Sequence, residues 1–196
     1  PWTIRSIRQK VPKDIPISAA LGDCPYKPGT ISLAALGAIN SGADIIKVGL
    51  FGIKNFDEGK EIMKSVKKVV DESKKPIKVA VVGYADARYI NSVDPLEIPK
   101  IAIETKCDTA MLDTSQKDNG SIFQILSENV CRKFIEISHE GGLDVALAGS
   151  IKREDISTVK KLQPDIVGIR GSICEDSDRL NKYISKEKLF EFKRVL

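Results

Sequence analysis

The sequence predicts an α/β fold of the (β/α)8 TIM barrel class, with six of the eight strands inside its 196 residues. Three observations lead there. Short apolar runs alternate with longer amphipathic ones along the whole chain. The phosphate fingerprints of a doubly wound sheet are absent. Glycine-serine pairs close the last two apolar runs instead.

The apolar runs are PISAALG (16–22), ADIIKVGL (43–50), IKVAVVGYAD (77–86), TAMLDT (109–114), DVALAGS (144–150) and DIVGIRGS (165–172). Each is apolar at nearly every position, as parallel strands covered on both faces should be. Between them lie helical patterns with recognisable ends. Thr30 is the expected N-cap of ISLAALGAINSG, which stops at Gly42, and Ser121 the expected cap of one helix running to Gly141 and Gly142. Strand followed by helix, repeated without a linker or low-complexity tract, predicts one domain over residues 1–196.

An open doubly wound sheet carries GxGxxG or GxxxxGK[ST] after its first strand. Neither occurs. Gly149-Ser150 and Gly171-Ser172 stand where a (β/α)8 barrel builds a phosphate site, from backbone N–H groups after strands seven and eight. Two ordinary turn glycines are the alternative. The chain opens with PWTIRSIRQKV, where Ile4, Ile7 and Val11 keep helical spacing behind a proline suited to the first helical position. The expectation is therefore a barrel entered inside a repeat, N-terminally incomplete by one β-α-β piece, with PISAALG as strand three and DIVGIRG as strand eight.

Composition excludes several function classes. Thirty-one Lys+Arg against 27 Asp+Glu leave a net charge of only +4. The lysines fall mostly on stretches such as KEIMKSVKKVVDESKK (60–75), which read as solvated helix faces, so no nucleic acid is expected as a partner. No apolar run reaches the ~20 residues of a membrane helix. No membrane association is expected, and the expected location is cytoplasmic. Cys24, Cys107, Cys131 and Cys174 stand far apart with one histidine to share, which predicts reduced thiols and no metal site. That histidine, His139, ends a helical pattern, where the helix dipole favours it at the surface. Serine or cysteine nucleophile chemistry is not expected.

Candidate chemistry lies at the strand ends. Alternation along DIIKVGL sets Ile45, Lys47 and Gly49 on one face and Ile46, Val48 and Leu50 on the other. The face carrying lysine and glycine is the expected barrel interior. An ammonium in an apolar strand must be paired, neutralised or used. In AMLDTSQKDNG, Met111 and Asp113 share a face and Lys117 follows in the loop, so Asp113 is a candidate partner for Lys47 or Lys117; a purely structural ion pair stays open. GDCPYKPGT (22–30) brings Asp23 and Lys27 near the mouth as candidate substrate- or phosphate-binding groups, and Asp86 serves either the site or a helix cap. Lysines without histidine or metal, beside a phosphate cradle, point to a phosphorylated carbonyl compound, because an amine can form an imine or act as a general base.

Taken in order, SAALGDCPYKPGT, ADIIKVGLFG, GYADA, MLDTSQKD, ALAGSI and DIVGIRGSIC resemble the (5-formylfuran-3-yl)methyl phosphate synthase family of methanofuran biosynthesis, over essentially the whole chain. The resemblance implies a (β/α)8 barrel and a carbon-oxygen lyase working through a Schiff base. That reaction condenses two molecules of glyceraldehyde 3-phosphate into a furan aldehyde phosphate, with loss of phosphate and water, and without a metal or organic cofactor. It implies that Lys47 is the proton-accepting lysine and that Asp113 and Lys117 are the further active-site pair, while the family's Schiff-base lysine ends a strand upstream of Pro1. The expected ligand is then a triose phosphate and the expected assembly a homo-oligomer. Two other readings stay open: a class I aldolase-like lyase with Lys47 as its imine lysine, and a non-catalytic phosphate-binding barrel.

Overall fold

The computed structural model describes residues 1–117, 120–177 and 181–196. Its elements follow the chain as α1 (Trp2–Lys10), β1 (Ser18–Ala20), α2 (Pro28–Asn40), β2 (Ile45–Gly49), α3 (Phe56–Ser73), β3 (Lys78–Tyr84), α4 (Glu97–Glu104), β4 (Thr109–Asp113), α5 (Ile122–Ile125), α6 (Glu128–Glu140), β5 (Asp144–Leu147), α7 (Ile156–Leu162), β6 (Ile166–Val167) and α8 (Lys186–Val195). All six strands lie within the apolar runs read from the sequence.

The strands form one parallel sheet in the order β1-β2-β3-β4-β5-β6. Chain order equal to spatial order distinguishes a barrel-type sheet from a doubly wound one. Right-handed crossovers that always step in the same direction leave every helix on the same face, and the right-handed twist curls the sheet away from them. The result is a half-barrel of six strands.

Packing follows the two faces. The main core lies between sheet and helices, where Ile46, Val48, Val79, Val81, Ala110 and Leu112 meet Ile31, Ala35, Met63, Val66, Ile98, Ile101 and Phe134. A separate small cluster of Val82, Met111, Ala146 and Ala148 fills the concave face. The registers Val82↔Met111 and Met111↔Ala146 make it a layer across three strands. On β2 the alternation holds: Ile46 and Val48 are buried, while Ile45, Lys47 and Gly49 are half-buried on the open face.

Helix ends show where local signals held and where they did not. Asn55 caps α3 by accepting from the Glu58 N–H at 2.9 Å, and Asp57 and Glu58 suit the positive end of the dipole. Thr30 is not the cap of α2. That helix starts three residues earlier because Pro28 supplies a φ already helical, and Lys27 takes the N-cap position. Pro1 likewise stands one residue before its helix, at the N-cap of α1. The single helix expected from Ser121 to Gly141 is two. α5 ends at Leu126, whose backbone is extended, and Ser127 starts α6 anew, its hydroxyl accepting from the Val130 N–H at 3.4 Å.

At the N-terminal ends of the strands a repeated device joins neighbours. Asp44, Asp108 and Asp165 each precede one strand and accept the backbone N–H of Ile17, Val79 and Val145 respectively, at 2.7, 2.8 and 2.7 Å. Asp44 also binds Arg8 at 2.9 Å, tying α1 to the sheet. Asp165 binds His139 at 2.8 Å, so the lone histidine is an exposed partner on this face, far from the opposite strand ends. The His139 hydrogen bond, joined by that of Val145, holds the Asp165 carboxyl below the usual carboxylate range.

Candidate functional site

Two adjoining cavities open at the C-terminal ends of the strands, where side chains of the concave face and the following loops converge. The first, about 420 Å³, is lined by Asp23, Lys47, Gly49, Tyr84, Asp113 and Lys117 among others. The second, about 280 Å³, shares Lys47, Asp113 and Lys117 and extends to Gly149, Ser150 and Gly171. Tertiary structure thus brings together most of the residues singled out in the sequence.

Strand register explains the assembly. Lys47 lies beside Ala20 and Ala80, whose small side chains leave space for the butylammonium arm. Its ammonium makes no hydrogen bond or ion pair among the described residues. Asp113 ends β4 opposite Tyr84 of β3. Asp113 Oδ1 accepts from Lys117 Nζ at 2.6 Å and from the Thr114 N–H at 2.7 Å, so Lys117 rather than Lys47 is its partner. Lys117 Nζ also donates to the Thr114 carbonyl and, at 3.3 Å, to its hydroxyl. Both members of this pair keep 28% of their side-chain surface, so the pair faces the cavity and is not a buried structural bridge.

The loop that carries Lys117 is anchored from behind. Asp86, fully buried, accepts the N–H of Ser115 through Oδ1 and of Gln116 through Oδ2, each at 2.8 Å. It lines neither of these two cavities, and although it stands at the N-cap of the 3-10 turn Ala87–Tyr89 its side chain makes no capping hydrogen bond there.

Tyr84 is a residue the sequence reading missed. Its ring, 8% exposed, packs edge-on against Phe51 with centroids 6.0 Å apart, and its hydroxyl donates to Asp23 Oδ1 at 2.5 Å. Burial, then that hydrogen bond, push the phenol far above its ordinary range, so it stays a donor. The hydroxyl crosses directly over Gly49. A Cβ there would overlap the hydroxyl and lie 2.9 Å from Asp23 Oδ1, which is why this strand position carries glycine. The available signal was the tyrosine in GYAD, two residues before Asp86 and on the face of Val82.

The glycine-serine turns stand as expected in position. Gly149, at φ +108°, lies against Thr114, where a Cβ would sit 2.7 Å from Cγ2. Ser150 donates through its hydroxyl to the Lys117 carbonyl at 3.2 Å. Gly171 and Ser172 open a short 3-10 turn, Gly171–Ile173. Among the described residues, the N–H groups of Gly149, Ser150, Gly171 and Ser172 donate no hydrogen bond to the backbone. Ser172 Oγ is buried without a partner among the described residues and belongs to a third cavity shared with Lys117, Ser150 and Gly171. Lys27 is not brought in: it is exposed at the start of α2 and lines none of these three cavities. Among the described residues no three His, Cys, Asp or Glu side chains cluster in a way that could hold a metal.

The curled parallel sheet with its site at the C-terminal strand ends defines a protein of the (β/α)-barrel class. It matches phosphoribosyl anthranilate isomerase from Thermus thermophilus with a TM-score of 0.62 at 16% identity, over 98% of this chain and 77% of that one. It matches QR15, an aldolase, with a TM-score of 0.63 at 16% identity, over 85% of this chain and 73% of that one. At such identities the likeness concerns the fold alone.

Sequence comparison is more specific. The chain belongs to the 4-HFC-P synthase family, whose family model matches residues 1–193. Curated proteins named (5-formylfuran-3-yl)methyl phosphate synthase are 48% identical in Methanocaldococcus jannaschii and 50% identical in Methanococcus aeolicus, each over 195 residues. The protein of that name in Methanothermobacter thermautotrophicus is 44% identical over 196 residues. In all three cases the alignment spans 100% of this chain and 83% of the relative.

Proposed function

We propose that this chain carries the proton-transfer and phosphate-binding parts of a (5-formylfuran-3-yl)methyl phosphate synthase. The activity is a lyase-type condensation of two glyceraldehyde 3-phosphate molecules, with loss of phosphate and water, serving methanofuran biosynthesis. The observation that carries the reading is the cavity that Lys47, without a hydrogen bond or ion pair among the described residues, lines together with the Asp113–Lys117 ion pair, beside backbone N–H groups that donate no backbone hydrogen bond among the same residues. Membership of the 4-HFC-P synthase family supports the reading.

In this reading a triose phosphate enters with its phosphate at the turns of Gly149-Ser150 and Gly171-Ser172. Small residues let those amides approach an anion closely. Lys47 takes and returns protons during condensation and dehydration, as an amine that lines the substrate cavity can. The pair of Lys117 with Asp113 presents a cation that stabilises developing oxyanion charge, while Asp113 keeps that cation in place. The imine-forming lysine is expected on a strand outside the six of this sheet; the relatives are longer than this chain, which spans 83% of each.

A second reading has one observation in its favour. Among the described residues Lys47 is an amine without a hydrogen bond or ion pair, able to add to a carbonyl, as in a class I aldolase. Borohydride reduction of the full-length protein with glyceraldehyde 3-phosphate separates the two. The first reading expects a labelled lysine before Pro1, a furan aldehyde product, and turnover lowered about 100-fold or more by Lys47→Ala. Label on Lys47 establishes the aldolase-like alternative. Absence of a furan product from the unmodified protein refutes the proposal.

A further inference from the structure

Two carboxylates face the 420 Å³ cavity, and they are differently engaged. Asp113 is bound through Oδ1 by both Lys117 and the Thr114 N–H. Among the described residues Asp23 touches no cation and its one partner is the Tyr84 hydroxyl, on Oδ1, which leaves Oδ2 without a partner there; Asp23 lines the same cavity as Lys47. A carboxylate idling on a loop needs no such support. Here a buried tyrosine whose hydroxyl cannot ionise at neutral pH reaches across β2, over a position kept free of any Cβ, to hold one oxygen of Asp23. The donor fixes where the other oxygen points, which is the use of a positioning hydrogen bond behind an acid-base group.

We infer that Asp23 is a further proton-transfer residue of this cavity, and that Tyr84, crossing Gly49, is its positioning residue. The inference rests on the proposed synthase reading and deepens it. Its chemistry fits a dehydration of the bound phosphorylated carbonyl compound. Asp23 Oδ2 takes the proton from the carbon next to the carbonyl, and that C–H pair becomes the new C=C bond. The C–O bond to the neighbouring hydroxyl breaks, and the proton passes from Asp23 to the departing hydroxide. Water leaves and Asp23 returns to a carboxylate, so no oxidant, reductant or further reactant is required. Lys47, which lines the same cavity, serves the remaining proton transfers.

The test uses the full-length protein with glyceraldehyde 3-phosphate, following the furan aldehyde product for the unmodified protein, Asp23→Asn and Tyr84→Phe. Thermal melting of each variant checks folding. Asp23→Asn should lower kcat about 100-fold or more with KM within about threefold, as expected for loss of a general acid-base group. Tyr84→Phe removes only the orienting hydroxyl and should lower kcat about tenfold, again without a matching rise in KM. Adding Tyr84→Phe to Asp23→Asn should cost nothing further, because the hydroxyl acts through the carboxylate. Turnover by Asp23→Asn within threefold of the unmodified protein, a rise in KM alone, or additive losses in the double variant would overturn the inference while leaving the synthase reading intact. Failure of the unmodified protein to form product would overturn both.

Discussion

Replacing Asp86 by alanine is expected to loosen the loop that delivers Lys117. The carboxylate is fully buried and accepts two backbone N–H groups at 2.8 Å. A hydrogen bond to a charged group contributes about 1.5 kcal/mol at the lower end of its range. The lower end applies because Gln116 is exposed and its amide can turn to water. Two such bonds give about 3 kcal/mol, a large part of a typical folding free energy. For a chain of this size each kcal/mol shifts the melting midpoint by about 2–4 °C, so Asp86→Ala should melt about 6–12 °C below the unmodified protein. Asp86→Asn keeps one acceptor oxygen but turns an amide donor toward the other N–H, and should fall between the two. Differential scanning calorimetry measures the shift, and hydrogen exchange should show faster exchange at Ser115 and Gln116 in the alanine variant. A midpoint within 2 °C of the unmodified protein, with unchanged exchange at those amides, would refute the assignment of Asp86 as the anchor of this loop.

Two further outcomes follow from the opposite ends of the strands and from the core. Asp165 has its carboxyl held below the ordinary range, chiefly by the His139 hydrogen bond. A depressed carboxylate contributes stability in full above its unfolded value, about 3.9, and loses it as pH falls through the folded value. The gap in melting midpoint between the unmodified protein and Asp165→Asn should therefore be present at pH 6, corresponding to less than about 1 kcal/mol at this exposed site, and should close toward pH 3. A gap that widens on acidification would contradict the linkage. Among the four free cysteines, burial pushes the Cys107 and Cys131 thiols up to about 11, whereas Cys24 is only half-buried. A thiol reagent at pH 8 should modify Cys24 first and reach Cys107 and Cys131 only on unfolding, which peptide mapping by mass spectrometry reads directly. Early modification of Cys107 or Cys131 would show that the helix-facing core is open.

Sequence alone determined the number and place of the strands, the face on which Lys47 lies, and the loops that bring Asp113, Lys117 and the glycine-serine turns to one end. These follow from local periodicity: alternation assigns each side chain of a strand to a face, and the common direction of parallel strands gathers their C-terminal ends. Helix boundaries were less legible where Pro28 competed with Thr30, or where Ser127 restarted a helix inside a continuous apolar pattern. Tertiary structure alone decided partners. Asp113 pairs with Lys117 rather than Lys47, Asp86 turns behind the loop to hold its amides, and Lys27 stays at the helix start outside the cavities. Tyr84 meets Asp23 across 61 residues of sequence, over a glycine on a third element. The contacts of Asp86, and of Tyr84 with Asp23, depend on distances between segments far apart in the chain, set by strand register and sheet curvature, which no local pattern of residues encodes; Asp113 and Lys117 stand only four residues apart, and there the turn of the loop made the choice.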